Sequence, residues 1–282
     1  MSHLGSAEGK VTTRLIRESK GKKIVAITAY DYPSARLVDE AGVDIVLVGD
    51  SAANVVFGYD NTLPVTLDEM LLLARGVTRA VKRALVVGDM PFGTYHSGRK
   101  QALRSAVRFL KEGGVEAVKL EGGARRASLV EELCEAGIPV MGHIGLTPQS
   151  LHQMGGYRVQ GRTAAAAHKL IEDALALQQA GAFSIVLEGM PAEIAGMITE
   201  RVSIPTIGIG AGSKCDGQIL VYHDLLGLSF GHQPKFVRRY VQLRDIISKA
   251  LTAYVDDVRS GRFPSEEESY HLSAEVREQL EK

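Results

Sequence analysis

The chain has 282 residues, 45% of them hydrophobic and 23% charged, the balance of a folded globular protein and not of a disordered or fibrous one. A chain of this length buries about three quarters of its unfolded surface without a disulfide or metal staple, so Cys134 and Cys215, the two cysteines, are expected to be reduced thiols. Lys plus Arg and Asp plus Glu are 33 each, which excludes the net basic field of a nucleic-acid or anionic-membrane binder. No apolar run approaches the ~18 residues of a membrane span and Met1–Lys10 has no signal-peptide core, so the expectation is a soluble, cytoplasmic protein.

In chain order, residues 1–23 are expected to form an N-terminal cap. Apolar runs then recur at Ile24–Tyr30, Val43–Val48, Ala84–Val87, Ala117–Leu120, Ile138–Met141, Phe183–Leu187, Ile204–Ile209 and Gln218–Tyr222. Each is short, rich in Val and Ile and not alternating, which fits strands buried on both faces of a parallel sheet. Helical spacing appears between them in Leu67–Lys82, Gln101–Lys111, Leu129–Glu135, Ala164–Gln179 and Pro191–Arg201. Gly42, Gly113-Gly114, Gly137 and Gly181 stand where left-handed helix stops are needed. Eight strands alternating with helices predict an α/β protein of (β/α)8 barrel type over residues 24–264; an open doubly wound sheet is the alternative. That unit is expected to end in a long amphipathic helix over Phe236–Val258. Residues 265–282, with six Glu against Arg277 and Lys282, read as a solvated charged tail.

Parallel barrels carry their chemistry at the carboxyl ends of the strands. Asp50, Asp89, Glu121 and Glu188 stand at four such ends. Buried unpaired carboxylates are costly, and oxygen ligands of this kind suit a hard divalent cation better than zinc. Lys119 and Glu121 flank Leu120, so a period of two puts both on one face of strand 4, the lumen; Lys119 there reads either as the partner of a substrate carboxylate or as half of a simple lysine–carboxylate bridge. His143 and His223 read either as acid–base groups or as structural histidines. Gly208–Gly212 reads either as a phosphate-cradling turn or as a close-packed tight turn. The long loop after strand 5 has the length of a lid or binding loop.

Seven blocks then become specific together: Thr28-Ala29-Tyr30-Asp31, Val48-Gly49-Asp50-Ser51, Asp89-Met90-Pro91-Phe92, Val118-Lys119-Leu120-Glu121-Gly122-Gly123, Gly142-His143-Ile144-Gly145-Leu146-Thr147-Pro148-Gln149, Gly156-Tyr157-Arg158-Val159-Gln160-Gly161-Arg162 and Gly208-Ile209-Gly210-Ala211-Gly212. In this order, from about Thr13 to Phe263, the chain resembles the ketopantoate (3-methyl-2-oxobutanoate) hydroxymethyltransferase family.

The resemblance implies a TIM barrel of phosphoenolpyruvate/pyruvate superfamily type, assembled as a homo-oligomer, a decamer. It implies one-carbon transfer from 5,10-methylenetetrahydrofolate to 3-methyl-2-oxobutanoate through a Mg²⁺-stabilised enolate, giving 2-dehydropantoate for pantothenate and coenzyme A synthesis. By position, Mg²⁺, one per subunit, falls to Asp50, Asp89 and Glu121. The keto acid falls to Asp50, Ser51, Asp89 and Lys119, and the proton acceptor is Glu188; His143, from the reading of the strand ends, stands beside them as a candidate supporting residue. A lyase of the same superfamily would carry a Lys-Lys-Cys-Gly-His lid, a run this sequence lacks. Gly189 stands where the family pattern leads one to expect a larger residue, and is expected to loosen the loop behind Glu188.

Overall fold

The computed structural model describes residues 9–231 and 233–282. Strands β1 (Ile24–Thr28), β2 (Ile45–Val48), β3 (Leu85–Asp89), β4 (Ala117–Glu121), β5 (Val140–Gly145), β6 (Ser184–Glu188), β7 (Thr206–Ile209) and β8 (Gly217–Leu220) pair in sequence order, all parallel. β8 returns to β1, Ile24 opposite Gly217, so the sheet is a closed barrel and the open-sheet alternative is excluded. Helices follow the strands at Tyr32–Glu40, Leu67–Ala80, Arg99–Arg108, Ala127–Glu135, Ala164–Gln179 and Ala192–Arg201. The glycine stops are as expected: Gly42, Gly114, Gly137 and Gly181 all have φ between 74° and 96°.

Alternation along the strands sorts side chains into lumen and outer face. One parity supplies Ile24, Ala26, Ile45, Leu47, Leu85, Val87, Ala117, Met141, Val186, Ile207 and Ile219, a buried cluster that also contains Val11 and Ile16. These apolar side chains fill the lower lumen, and the N-terminal segment is the stopper beneath them. Thr12 caps the helix Thr13–Arg17 by accepting from Leu15 N at 3.2 Å, and Val11 N donates to Arg83 O at 2.7 Å. The first eight residues of the expected cap, 1–23, lie outside the described residues. The other parity packs against the helices. Val46, Val48, Val86, Val118, Leu120, Val140, Ile144, Ile185 and Leu187 are all buried there.

The outer face is left open at one place. Val25 on β1 and Gln218 on β8 are exposed where their counterparts on the other strands are buried. The helix that would cover them, Leu243–Arg259, has no buried residue. It begins seven residues later than expected. Phe236 packs on Gly210, Val237 is buried, and Tyr240 N and Leu243 N donate to Leu225 O and Leu226 O at 2.9 Å, bonds that hold the preceding segment out of the helix. The last strand is also shorter than expected: Tyr222 begins a helical turn, Tyr222–Leu225, and its N–H is taken by Thr28 Oγ1 at 2.9 Å. The tail carries a Ser265-capped turn at Glu266–Glu268 and a helix at Ala274–Leu280, both fully exposed. Among the described residues no helix is long and apolar enough to cross a membrane.

Candidate active site

The lumen parity that is apolar below turns polar at the top. Val87 is followed by Asp89, Ala117 by Lys119 and Glu121, Met141 by His143, and Val186 by Glu188. The β3–β4 register pairs Asp89 with Lys119, and β4–β5 pairs Glu121 with His143, so strand pairing alone places these groups side by side. Lys119 Nζ lies 2.8 Å from Asp89 Oδ1 and 3.3 Å from His143 Nδ1. His143 Nδ1 is 3.5 Å from Glu121 Oε1, and its Nε2 is 3.1 Å from Glu188 Oε2. Asp50 lies beyond β2, where the chain turns into Ala52–Val55. Its N–H donates to Asp89 Oδ2 at 3.1 Å. Asp50, Asp89, Lys119, Glu121 and His143 are all buried.

Burial governs the electrostatics. It pushes the Asp89 carboxyl up to about 8 against the opposing pull of Lys119, and it raises Glu121 against His143 and Lys119. Burial alone would lower Lys119, but Asp89, Asp50 and Glu121 outweigh it and keep the ammonium charged. His143 is depressed by burial and by Lys119, yet its contacts with Glu121 and Glu188 carry it up to about 9. The site is a compact knot of mutually dependent charges.

These residues, with Ser51, Thr28, Asn54 and Tyr157, line a cavity of about 140 Å³ at the barrel mouth. Every residue assigned to the site from the sequence is therefore brought to one cavity. Two residues the sequence reading did not single out complete it. Gln149 is buried in the loop after β5. Its Nε2 donates to Asp50 Oδ2 at 2.9 Å and to Met90 O at 3.0 Å, and its N–H donates to Glu121 Oε2 at 3.0 Å. Tyr95 OH donates to Gln149 Oε1 at 2.6 Å and lies 3.3 Å from Glu121 N. Ser51 Oγ is 2.8 Å from Tyr30 OH.

His143 is inside β5 and not beyond its end, because that strand runs four residues past the apolar run. His223 is not part of the cavity lining; its ring stands against Tyr30, centroids 5.4 Å apart. The glycines of Gly208–Gly212 serve close packing: a Cβ at Gly210 would meet the Phe236 ring at 2.7 Å, and one at Gly212 would meet Ala192 at 2.4 Å. Gly189 does not loosen its loop. It has φ +56°, its N–H donates to Ile209 O at 2.9 Å, and its carbonyl accepts from Gln160 N at 2.8 Å.

Among the described residues no three His, Cys, Asp or Glu side chains are gathered as a ready set of metal donors. Lys119 occupies Asp89, and Gln149 stands between Asp50 and Glu121. Asp89 Oδ1 and Glu121 Oε1 nevertheless lack an aligned hydrogen-bond donor although both are buried. Two all-oxygen acceptors with lone pairs to spare fit a hard cation that keeps much of its own water.

The sequence model of the ketopantoate hydroxymethyltransferase family matches residues 10–266. The 3-methyl-2-oxobutanoate hydroxymethyltransferase of Koribacter versatilis (strain Ellin345) is 55% identical over 279 residues, 98% of this chain and 95% of that protein. The protein of the same name from Trichlorobacter lovleyi (strain ATCC BAA-1151 / DSM 17278 / SZ) is 56% identical, covering 91% of this chain and 96% of its own. Among solved structures, phosphoenolpyruvate phosphomutase from Streptomyces platensis subsp. rosaceus superposes with a TM-score of 0.61 at 15% identity, over 97% of this chain and 95% of that one. 2,3-Dimethylmalate lyase, a PEP mutase/isocitrate lyase superfamily member, does so with 0.59 at 20% identity, over 92% of each. The two structures share the barrel fold, and the sequence match is specific: the chain belongs to the ketopantoate hydroxymethyltransferase family.

Proposed function

We propose that this chain transfers a hydroxymethyl group from 5,10-methylenetetrahydrofolate to C3 of 3-methyl-2-oxobutanoate, forming 2-dehydropantoate for pantothenate and coenzyme A synthesis. One observation carries the reading: Glu188, Lys119, Asp89, Glu121 and Asp50 face one cavity of about 140 Å³, below the ~300–1,000 Å³ of sites for drug-sized ligands and suited to a small acid. Lys119 supplies the cation for the substrate carboxylate, and Ser51 a hydroxyl donor beside it. Asp50, Asp89 and Glu121 are the residues that would hold Mg²⁺, one per subunit. When bound, Mg²⁺ supplies Lewis-acid polarisation of the keto group. Glu188 accepts the C3 proton, and His143, 3.1 Å away, steadies its carboxylate.

The C3–H bond breaks, and its electron pair forms the new bond to the donor's methylene carbon. Both methylene–nitrogen bonds break with their electrons going to nitrogen. Water contributes the hydroxyl oxygen, and the C3 proton and one water proton end on the two nitrogens of tetrahydrofolate. Incubation with keto acid, donor and Mg²⁺ is expected to yield 2-dehydropantoate, and to yield none without the donor or after EDTA. Product formation without the donor would point to a different reaction; activity that survives EDTA would remove the metal from the account.

We also infer self-association, in line with the decameric assembly implied by the family resemblance. The helix Leu243–Arg259 leaves Ile246, Leu251 and Tyr254 more than half exposed, while the β1–β8 outer face lacks a covering helix. An unburied amphipathic helix gains little stability alone. Covering the open strands of another copy would bury both surfaces.

A further inference from the structure

The cavity that takes the keto acid is too small to enclose a folate as well, so the donor must lie across its mouth with the methylene directed inward. The residue standing at that boundary is Tyr157. It lines the cavity and still leaves 56% of its surface open to solvent. Burial, followed by Asp50, Glu188 and Glu121, raises its phenol, as it must where the ring stands near those acids.

The backbone accounts for that position. Gly155 and Gly156 have φ of +66° and +111°, and neither has a neighbour within 4 Å of a built Cβ. They are needed there for conformation and not for packing. Three residues after Tyr157, Gln160 N donates to Gly189 O at 2.8 Å, which ties the segment to the residue following Glu188. The ring is thus carried on a tight turn fixed beside the proton acceptor. Arg158 and Arg162 are exposed on the same loop and add positive charge to it.

We infer that Tyr157 is the platform on which the pterin ring of the one-carbon donor stacks, and that the loop after β5 forms the donor subsite. The inference rests on the transferase reading of the cavity. A flat heteroaromatic ring stacks on an exposed phenol through its face, so the ring and not the hydroxyl carries the interaction.

The chain contains no tryptophan, so Tyr157→Trp places a single indole at the mouth. Titration of this variant with tetrahydrofolate, in the presence of keto acid and Mg²⁺, is expected to quench its emission saturably. In Tyr157→Ala the KM for the donor should rise about tenfold or more, the usual scale for a lost stacking partner, and saturating donor should restore most of kcat. Tyr157→Phe should keep the donor KM within about threefold. An indole that is not quenched, or an unchanged donor KM in Tyr157→Ala, overturns the subsite. Failure of the native protein to exchange the C3 hydrogen of the keto acid without folate would instead overturn the transferase reading, and the subsite with it.

Discussion

Gln149 ties the loop after β5 to the rest of the site. One amide spans Asp50, the Met90 carbonyl and Tyr95. Gln149→Leu removes both donated bonds and leaves the buried Tyr95 hydroxyl without its acceptor, a loss of about 2–4 kcal/mol at the value of charged and buried hydrogen bonds. Urea unfolding measures this; a change below ~0.5 kcal/mol would show that the network is not needed for stability. His223 gives a prediction in pH. Burial lowers its pKa despite Asp224 and Asp31, so the folded state favours the neutral ring. Its contribution is present above the unfolded value near ~6.5 and is lost as pH falls below it. Melting at pH 7 and pH 5 should show a smaller acid loss in His223→Gln than in the native chain; an equal loss would clear His223 of that role. The acids and Lys119 were readable because each interrupts or ends an apolar run, where a barrel opens. Gln149 and Tyr95 carry no such mark: both are neutral residues, one in the short helical turn Pro148–Ser150 and one in a bend, where no period indicates which way a side chain turns.

At the scale of elements, continuous Val/Ile runs located all eight strands, because strands buried on both faces need no polar alternation. Their ends were less readable. β5 continues through His143 to Gly145 because lumen positions at the barrel top are polar, so hydropathy falls before the strand does. The helix expected from Phe236 begins at Leu243 because Phe236 and Val237 are apolar for a different purpose, packing on the barrel. Gly145 sets the junction of β5 and β6. It has φ +98°, and a Cβ would stand 2.1 Å from the Glu188 carbonyl oxygen. Gly145→Ala is expected to cost about 2–4 kcal/mol through backbone strain and overpacking, and to shift the strand that carries Glu188. Gly137→Ala, also at positive φ but with open space around it, should cost about 1 kcal/mol. Thermal melting of the two variants checks the difference; equal losses would mean that the close approach has no effect beyond φ.

For the molecule as a whole, the open β1–β8 face and the unburied helix Leu243–Arg259 are the two surfaces that the proposed self-association would cover. Leu251→Asp puts a charge on the exposed apolar side of that helix and should reduce the mass measured by light scattering while leaving the circular dichroism of the barrel in place. An unchanged mass would take that face out of the assembly. Neither of these surfaces could be read from sequence, since an amphipathic helix shows which side is apolar and not what it covers. Glu188 at the barrel mouth is proposed to remove the C3 proton of the keto acid. The most direct test of this step is entry of solvent deuterium at C3 of 3-methyl-2-oxobutanoate, followed by NMR with Mg²⁺ present and folate absent. The native chain should exchange, and Glu188→Gln, which keeps the shape beside His143 but not the basicity, should exchange roughly 10²–10⁴ times more slowly with keto-acid binding within a few-fold. Exchange in the variant at close to the native rate would contradict the account and turn attention to His143.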